Sequence, residues 1–397
     1  MNLWIIGDAF GFPNGYGATA RVLAYAQGLQ ANGANVRVIC LKAFERPEDG
    51  VLNTEPRGVY EGIPFEYACG TRMRGATFMQ RRWLELKSAW GLLRAVFVQV
   101  RREKLDAVIL YTTYSLFWTL LGWFVAWLVG AKTILDVCEF PFVYRKPTWS
   151  IKLQFWILTR TVFRLVNGLI VISRYLEDFV SRCYNSARLL RVPVLVDVER
   201  LNVNGDLQNQ NRFKRILYSG TLAHDGEVAD LIRAFALLAR DCPDTGLRII
   251  GDSGAAVRAQ IENEIHARDL AGRVELFGAI KRADLPRVLA SVDVLALLRS
   301  VGTFSQAGFP TKLGEYLATG KPVVVTSTGE ISDHLQGGVS AFLVPPNDVP
   351  AFAAQLRYVI EHPEHAAQVG ARGRQIARER FDYRVHGKRI IEFIETI

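Results

Sequence analysis

None of the five cysteines (Cys40, Cys69, Cys138, Cys183 and Cys242) stands in a CxxC pair, and their number is odd. Scattered thiols of this kind exclude a disulfide framework and point to reduced, buried side chains in a cytosolic compartment. No cluster of His, Cys, Asp and Glu has metal-ligand spacing, so neither a metal nor another cofactor is expected. Histidine is missing from the whole first half; all six (His224, His266, His334, His362, His365 and His386) follow residue 223. The opening MNLWIIGDAFG has no basic region or cleavage site, so a signal peptide is not expected. Charged residues are only 22% of the chain and hydrophobic ones 50%. That balance excludes disorder and fibrous classes and, over 397 residues, suits two domains of about 200.

What is present is unevenly placed. Residues 1–200 hold 25 Lys and Arg against 16 Asp and Glu, a net charge of +9, whereas the remainder is neutral. All eight tryptophans, from Trp4 to Trp156, lie in that basic half. Basic and Trp-rich surfaces suit an anionic membrane, where Trp sits at headgroup level and Lys or Arg meets acidic lipids. The expectation is a peripheral protein on the inner face of the cytoplasmic membrane. Nucleic acid is the rival partner, but no recognition motif for it is present and it is not expected.

Both halves alternate short apolar, β-rich runs with longer amphipathic stretches, the pattern of parallel sheets with crossover helices. The spacing predicts strands over Leu3–Ile6, Asn35–Leu41, Ala107–Tyr111, Lys132–Val137 and Gly168–Ile172 in the first half. In the second it predicts Arg215–Tyr218, Leu247–Ile250, Val274–Phe277, Val292–Leu297, Val323–Val325 and Phe342–Val344. The polar, Asn-rich segment Leu201–Arg212 is the best boundary, giving domains over 1–200 and 201–382.

Two segments bear on the membrane. Leu116–Val129 is uncharged, but fourteen residues rise only about 21 Å against about 30 Å of hydrocarbon. It is read as a crossover helix, buried or embedded at the surface. Arg72–Lys104 carries nine basic and two acidic residues with Phe78, Trp83, Trp90 and Phe97 interleaved. It is either an interfacial amphipathic helix or an ordinary one packing its aromatics on the sheet.

Candidate chemistry falls in three places. The first strand enters a loop with Gly7, Gly11, Gly15 and Gly17, and a helix follows from about Ala18. Such a loop lets backbone N–H groups and the positive helix end approach a phosphate, unless it is merely a tight turn. It lacks GxGxxG spacing, which removes support for hydride chemistry. Second, in Gly308–Val325 (GFPTKLGEYLATGKPVVV), Pro310 suits the first position of a helix that stops at Gly320. Thr311, Lys312 and Glu315 then share one face, so a phosphate would meet the helix end and Lys312 while Glu315 accepts from a ribose diol about 5 Å further on. The alternative is a Lys312–Glu315 surface ion pair. Third, Glu139 follows a predicted strand, where open α/β sheets build their sites. It is the candidate acceptor-side base, or else pairs with Arg145 or Lys146. His224 is a further candidate or a surface histidine.

The Gly308–Val325 stretch resembles the donor-site motif of the family 4 glycosyltransferases. Its neighbours fall in that family's order: Ile216–Thr221 before the helix Glu227–Ala239, Leu247–Gly254, Val274–Ile280 before Asp284–Ala290, Ser291–Leu297, and Gly337–Pro345. The first half adds its Gly-rich loop and Val171–Ser173. The resemblance implies the α/β GT-B fold, two Rossmann-like parallel-sheet domains facing across a cleft, with the last helix, 383–397, returning to the first. It implies retaining, metal-independent transfer from a nucleotide-sugar to a hydroxyl of a glycan or lipid-linked acceptor. Glu315 would hold the ribose, Ile280 the base through its backbone, Gly15 and Gly17 the diphosphate from the opposite domain, and Pro310, Thr311 and Lys312 the phosphate and sugar. Gly220, Thr221 and Gly251 complete the donor set, with Lys312 and Glu139 as the catalytic pair.

Three departures stand out. Ala307 occupies the place of a first glutamate eight residues before Glu315, and Thr221 and Asp225 occupy the places of a usual Arg and Lys. Lys312 is the expected substitute for those cations. A non-catalytic sugar-nucleotide-binding or membrane-scaffolding protein is the alternative that these departures favour. A GT-B sugar-nucleotide epimerase is the other, disfavoured by the histidine-free first half.

Overall fold

The computed structural model describes residues 1–46, 53–101, 103–112, 115–139, 148–183, 188–201, 214–220, 222 and 225–397. The chain forms two compact units, Met1–Leu195 with Tyr383–Ile397, and Val196–Asp382.

The first unit runs β1 (Asn2–Gly7), α1 (Gly17–Ala31), β2 (Asn35–Cys40), β3 (Arg57–Tyr60), β4 (Ile63–Tyr67), α2 (Phe78–Val100), β5 (Ala107–Tyr111) and α3 (Leu116–Leu128). It continues through β6 (Lys132–Val137), α4 (Trp149–Ile157), a π-helical turn (Leu158–Val162), α5 (Phe163–Leu165), β7 (Gly168–Val171), α6 (Arg174–Cys183) and β8 (Leu189–Arg191). The sheet order is β3-β4-β2-β1-β5-β6-β7-β8, parallel except for β3 against β4. Central strands such as β5 are buried at every position, as a parallel sheet covered on both faces requires.

Three strands were not legible in the sequence, each for a physical reason. β3 is a short edge strand with no buried residue, and β4 carries Pro64 in its run, which ordinarily argues against a strand. The two form a hairpin turning at Glu61 and Gly62, both at positive φ. β8 has only three residues, none fully buried.

A buried ion pair holds the middle of this unit. Arg21 on α1 donates from Nε to Asp136 Oδ2 at 3.0 Å, and its Nη atoms donate to the carbonyls of Pro193 and Val192. Such a pair persists in the core only because its remaining donors are satisfied.

α3 joins β5 to β6 and buries Trp118, Thr119, Gly122, Val125 and Ala126, while Phe117, Phe124 and Trp127 stay exposed. Among the described residues no helix is long and apolar enough to cross a membrane. α2 turns Ser88, Leu92 and Val96 inward and leaves Phe78, Trp83, Trp90 and Phe97 exposed. Packing those aromatics on the sheet, one of the two readings of the segment, is thereby excluded.

The second unit runs β9 (Lys214–Ser219), α7 (Asp225–Asp241), β10 (Thr245–Ile250), α8 (Ala255–His266), β11 (Val274–Phe277), α9 (Leu285–Ala290), β12 (Val294–Leu297), α10 (Thr303–Ala307) and α11 (Thr311–Ala318). Then come β13 (Val323–Thr326), α12 (Ile331–His334), β14 (Phe342–Val344), α13 (Val349–Glu361) and α14 (Pro363–Arg380). Its sheet is wholly parallel in the order β11-β10-β9-β12-β13-β14. This is the doubly wound order that reverses between its first and fourth strands, here β9 and β12, and ligands bind at the carboxyl end of such a reversal.

The last helix, α15 (Tyr383–Thr396), packs on α1 in the first unit. The contact is at backbone distance: a Cβ on Gly28 would lie 2.4 Å from the Tyr383 carbonyl, and one on Gly387 would lie 2.0 Å from that of Gly28. Alanine at Gly28 gains about 1 kcal/mol in helix propensity, but forcing the helices apart costs about 1–3 kcal/mol. Gly28→Ala is therefore expected to lower the urea midpoint of the first unit, and an unchanged midpoint would disprove the close packing.

Candidate functional site

At the carboxyl ends of β9 and β10 the second unit brings backbone groups and one ammonium together. β9 ends at Ser219, whose N–H donates to the Tyr316 hydroxyl at 2.7 Å, tying α11 to the strand end. Gly220 follows at φ 150°, and its N–H bonds the Ile250 carbonyl at 2.8 Å. A Cβ on Gly251 would lie 1.8 Å from the Gly220 carbonyl oxygen. A Cβ on Gly220 would in turn lie 1.8 Å from Lys312 Cε and 1.9 Å from its Nζ. Two missing side chains thus let the Lys312 chain lie across the end of β9.

Lys312 Nζ donates to the Tyr218 hydroxyl at 2.9 Å and sits 4.5 Å from that ring's centroid. Burial pushes the ammonium down to about 8; Glu227 favours the charged form, and Arg299 opposes it. A cation held so close to neutrality is stabilised by any added anion. Glu315, one turn along α11, has its carboxyl raised by burial, against the pull of Arg282 and Lys312. Ile280 and Arg282 lie on the β11–α9 connection and are both half-buried.

The structure therefore brings Gly220, Gly251, Lys312 and Glu315 together, with the Arg282 charge acting on Glu315. Thr311 opens α11, and Pro310 precedes it in an extended conformation as the capping residue. The expectation of Pro310 as the first helical residue is corrected by one position, because its ψ of 115° lies outside the helical range. Ala307 closes α10 and is buried. Thr221 and His224 lie outside the described residues, and Asp225 is described only as the first backbone position of α7.

Sequence reasoning missed Tyr218, Tyr316, Glu227, Arg282 and Arg299. Arg299 is buried just past β12, beside the strand-order reversal, with its guanidinium 5.0 Å from the Phe304 ring centroid. The signal for it was its position two residues past a strand's carboxyl end, but only the strand order singles out β12 among six strands.

In the first unit, Gly15 and Gly17 flank Tyr16, the extended residue that precedes α1 as its N-cap. The loop is held from beneath: the Phe12 N–H donates to the Tyr67 hydroxyl and Asn14 exchanges hydrogen bonds with Asn53. Nothing would meet a Cβ at Gly17, whereas one at Gly15 would strike the Thr19 hydroxyl at 2.1 Å. Glu139 lies two residues past β6, exposed, with its carboxyl shifted upward by partial desolvation. Arg145 and Lys146, its alternative partners, lie outside the described residues.

Residues 16–195 match the glycosyl transferase 4-like domain and residues 202–376 match glycosyl transferases group 1. A GDP-mannose-dependent alpha-(1-6)-phosphatidylinositol monomannoside mannosyltransferase of Mycolicibacterium smegmatis is 27% identical over 235 residues, 56% of this chain and 60% of that protein. HepE of Anabaena, solved in complex with UDP-glucose, superposes with a TM-score of 0.71 at 16% identity over 100% of both chains. Sucrose-phosphate synthase of Thermosynechococcus elongatus gives 0.73 at 15% identity, covering 100% of this chain and 98% of that one. With one glycosyltransferase domain model on each unit, the chain belongs to the glycosyltransferases, and its sheets and the solved structures it resembles give it the GT-B fold.

Proposed function

We propose that this protein transfers a sugar, with retention and without a metal, from a nucleoside diphosphate donor to a hydroxyl of a lipid-linked or envelope-polysaccharide acceptor. The observation that carries the donor half is the Lys312 ammonium, laid over Gly220 at the amino end of α11 and held by Tyr218. A diphosphate there meets the helix end and a poised cation, with the Arg282 and Arg299 charges near the same strand ends. They take the part of the cations that Thr221 and Asp225 do not supply. Glu315 accepts from the ribose hydroxyls and Ile280 lies against the base. Lys312 and Thr311 stabilise the departing diphosphate. On the acceptor side, the raised pKa of Glu139 suits a group that takes up the acceptor proton, and the backbone N–H groups of Gly15 and Gly17 are the proposed phosphate donors.

The relative from M. smegmatis is named for GDP-mannose and a phosphatidylinositol mannoside, and HepE was solved with UDP-glucose; these two frame the donor and acceptor classes to try. A thermal-shift panel of UDP-, GDP-, ADP- and dTDP-sugars tests the reading. One nucleotide class is expected to stabilise the protein, by about 2.7 kcal/mol at 100 times its dissociation constant, and Glu315→Ala is expected to abolish the shift. Indifference to all four classes would overturn the donor assignment.

A further inference from the structure

We propose that the outward face of α2, α3 and α4 is an insertion surface for an anionic lipid bilayer, entered from one side and not crossed. The inference goes beyond the reaction above, and its test does not use transfer activity.

Tryptophan is normally among the more buried side chains of a folded chain. Here Trp83, Trp90, Trp127, Trp149 and Trp156, five of the eight, are between 58% and 78% exposed. They lie on three neighbouring helices, since α3 packs on both α2 and α4. Phe97, Phe117 and Phe124 add exposed rings to the same elements. Most telling is α4, whose sequence WSIKLQFWI is largely apolar although none of its nine residues is buried. A helix of two and a half turns is not stable in water by itself and normally gains its stability from an apolar face laid against something. Of this one only Phe155 and Ile157 are partly covered, Phe155 stacking on Phe179 of α6 with ring centroids 5.7 Å apart.

The occupant is identified by charge and by depth. On α2, Trp83, Trp90 and Phe97 recur every seven residues, and Lys87 and Arg94 follow the two tryptophans by four, so rings and cations share one stripe. Lys87 Nζ lies 5.8 Å from the Trp83 ring centroid and the Arg82 guanidinium 5.1 Å from that of Phe78. Lys152, Arg160 and Arg164 continue the basic set on and after α4. Glu85 is the sole acidic residue of the three helices, and Arg82 occupies it at 2.6 Å. A protein partner with a dry core would have to bury these cations, and a second copy would set like charges against one another. A bilayer's headgroup layer takes both kinds, aromatic rings at its boundary and Lys or Arg against acidic phosphates. Thirteen residues of α3 rise about 20 Å, short of the hydrocarbon thickness, so the helices lie in the plane.

The test uses the full chain with vesicles of phosphatidylcholine alone or mixed with phosphatidylglycerol, read by co-sedimentation and by quenching of tryptophan emission with brominated acyl chains. Wild type is expected to bind the anionic vesicles, more weakly as salt rises, with its emission quenched. Trp90→Ser combined with Trp127→Ser and Trp149→Ser is expected to bind about tenfold more weakly or worse without loss of melting temperature. Lys87→Glu with Arg94→Glu is expected to weaken binding similarly on anionic vesicles alone. Absence of binding at low salt would overturn the proposal. So would vesicle binding that both variants retain, or a dimer that the tryptophan variant dissolves while wild type ignores vesicles.

Discussion

Lys312→Met is expected to lower kcat/KM for sugar transfer by about 10²–10³, the usual cost of removing one preorganised charge from a developing anion. Methionine keeps the length and apolar stem that cross Gly220, so the melting temperature should change little and the loss can be assigned to the ammonium. The same group sets a pH signature. With its pKa pushed down to about 8 from an ordinary 10.5, the free enzyme's Lys312 loses its proton as pH rises through 8. Donor binding then has to recruit a proton, and affinity should fall by up to about tenfold per unit above pH 8. The folding contribution has the opposite sign. Between about 8 and 10.5 the unfolded chain holds more protons at this site, so the free protein's stability rises with pH over that window. Donor affinity that stays flat to pH 10, or a methionine variant with wild-type turnover, would remove Lys312 from the site.

Gly251→Ala is expected to be the more damaging substitution although glycine carries no chemistry. Its Cβ would fall 1.8 Å from the Gly220 carbonyl oxygen, a backbone atom between two hydrogen-bonded strands that cannot swing aside as a side-chain end can. Separating the ends of β9 and β10 displaces Gly220, and with it the floor under Lys312. The expected result is a loss of about 1–3 kcal/mol of stability together with all of the nucleotide-sugar shift. Lys312→Met should leave the fold intact and damage chiefly the chemistry, so the pair separates the cation from its platform. Wild-type donor affinity in Gly251→Ala would show that the close approach of these strands has no bearing on the site.

How much of this was legible depends on range. The strands Leu3–Ile6 and Ala107–Tyr111 announce themselves because runs of four and five consecutive apolar residues need no distant partner to be recognised. β4 hid behind Pro64 and β3 behind its exposure, since an edge position is a property of the sheet and not of the segment. Lys312 and Glu315 share a helix face through local spacing. Arg282 is 33 residues from Glu315 and Arg299 is 13 from Lys312, distances that no helical period connects.

By itself the sequence determined the types of the longer, periodic elements, the doubly wound class and the helix that carries Lys312 and Glu315, because those follow from periods of two and 3.6 residues and from Gly and Pro at helix ends. Only the tertiary structure decided that Lys312 lies over Gly220, that Gly251 makes room for Gly220, and that the β9–β12 reversal selects Arg299. It also decided which side of α2, α3 and α4 meets solvent. A helix apolar on most of its circumference has no preferred inward face until its neighbours cover one side; here Trp118 went inward and five other tryptophans stayed on the uncovered side.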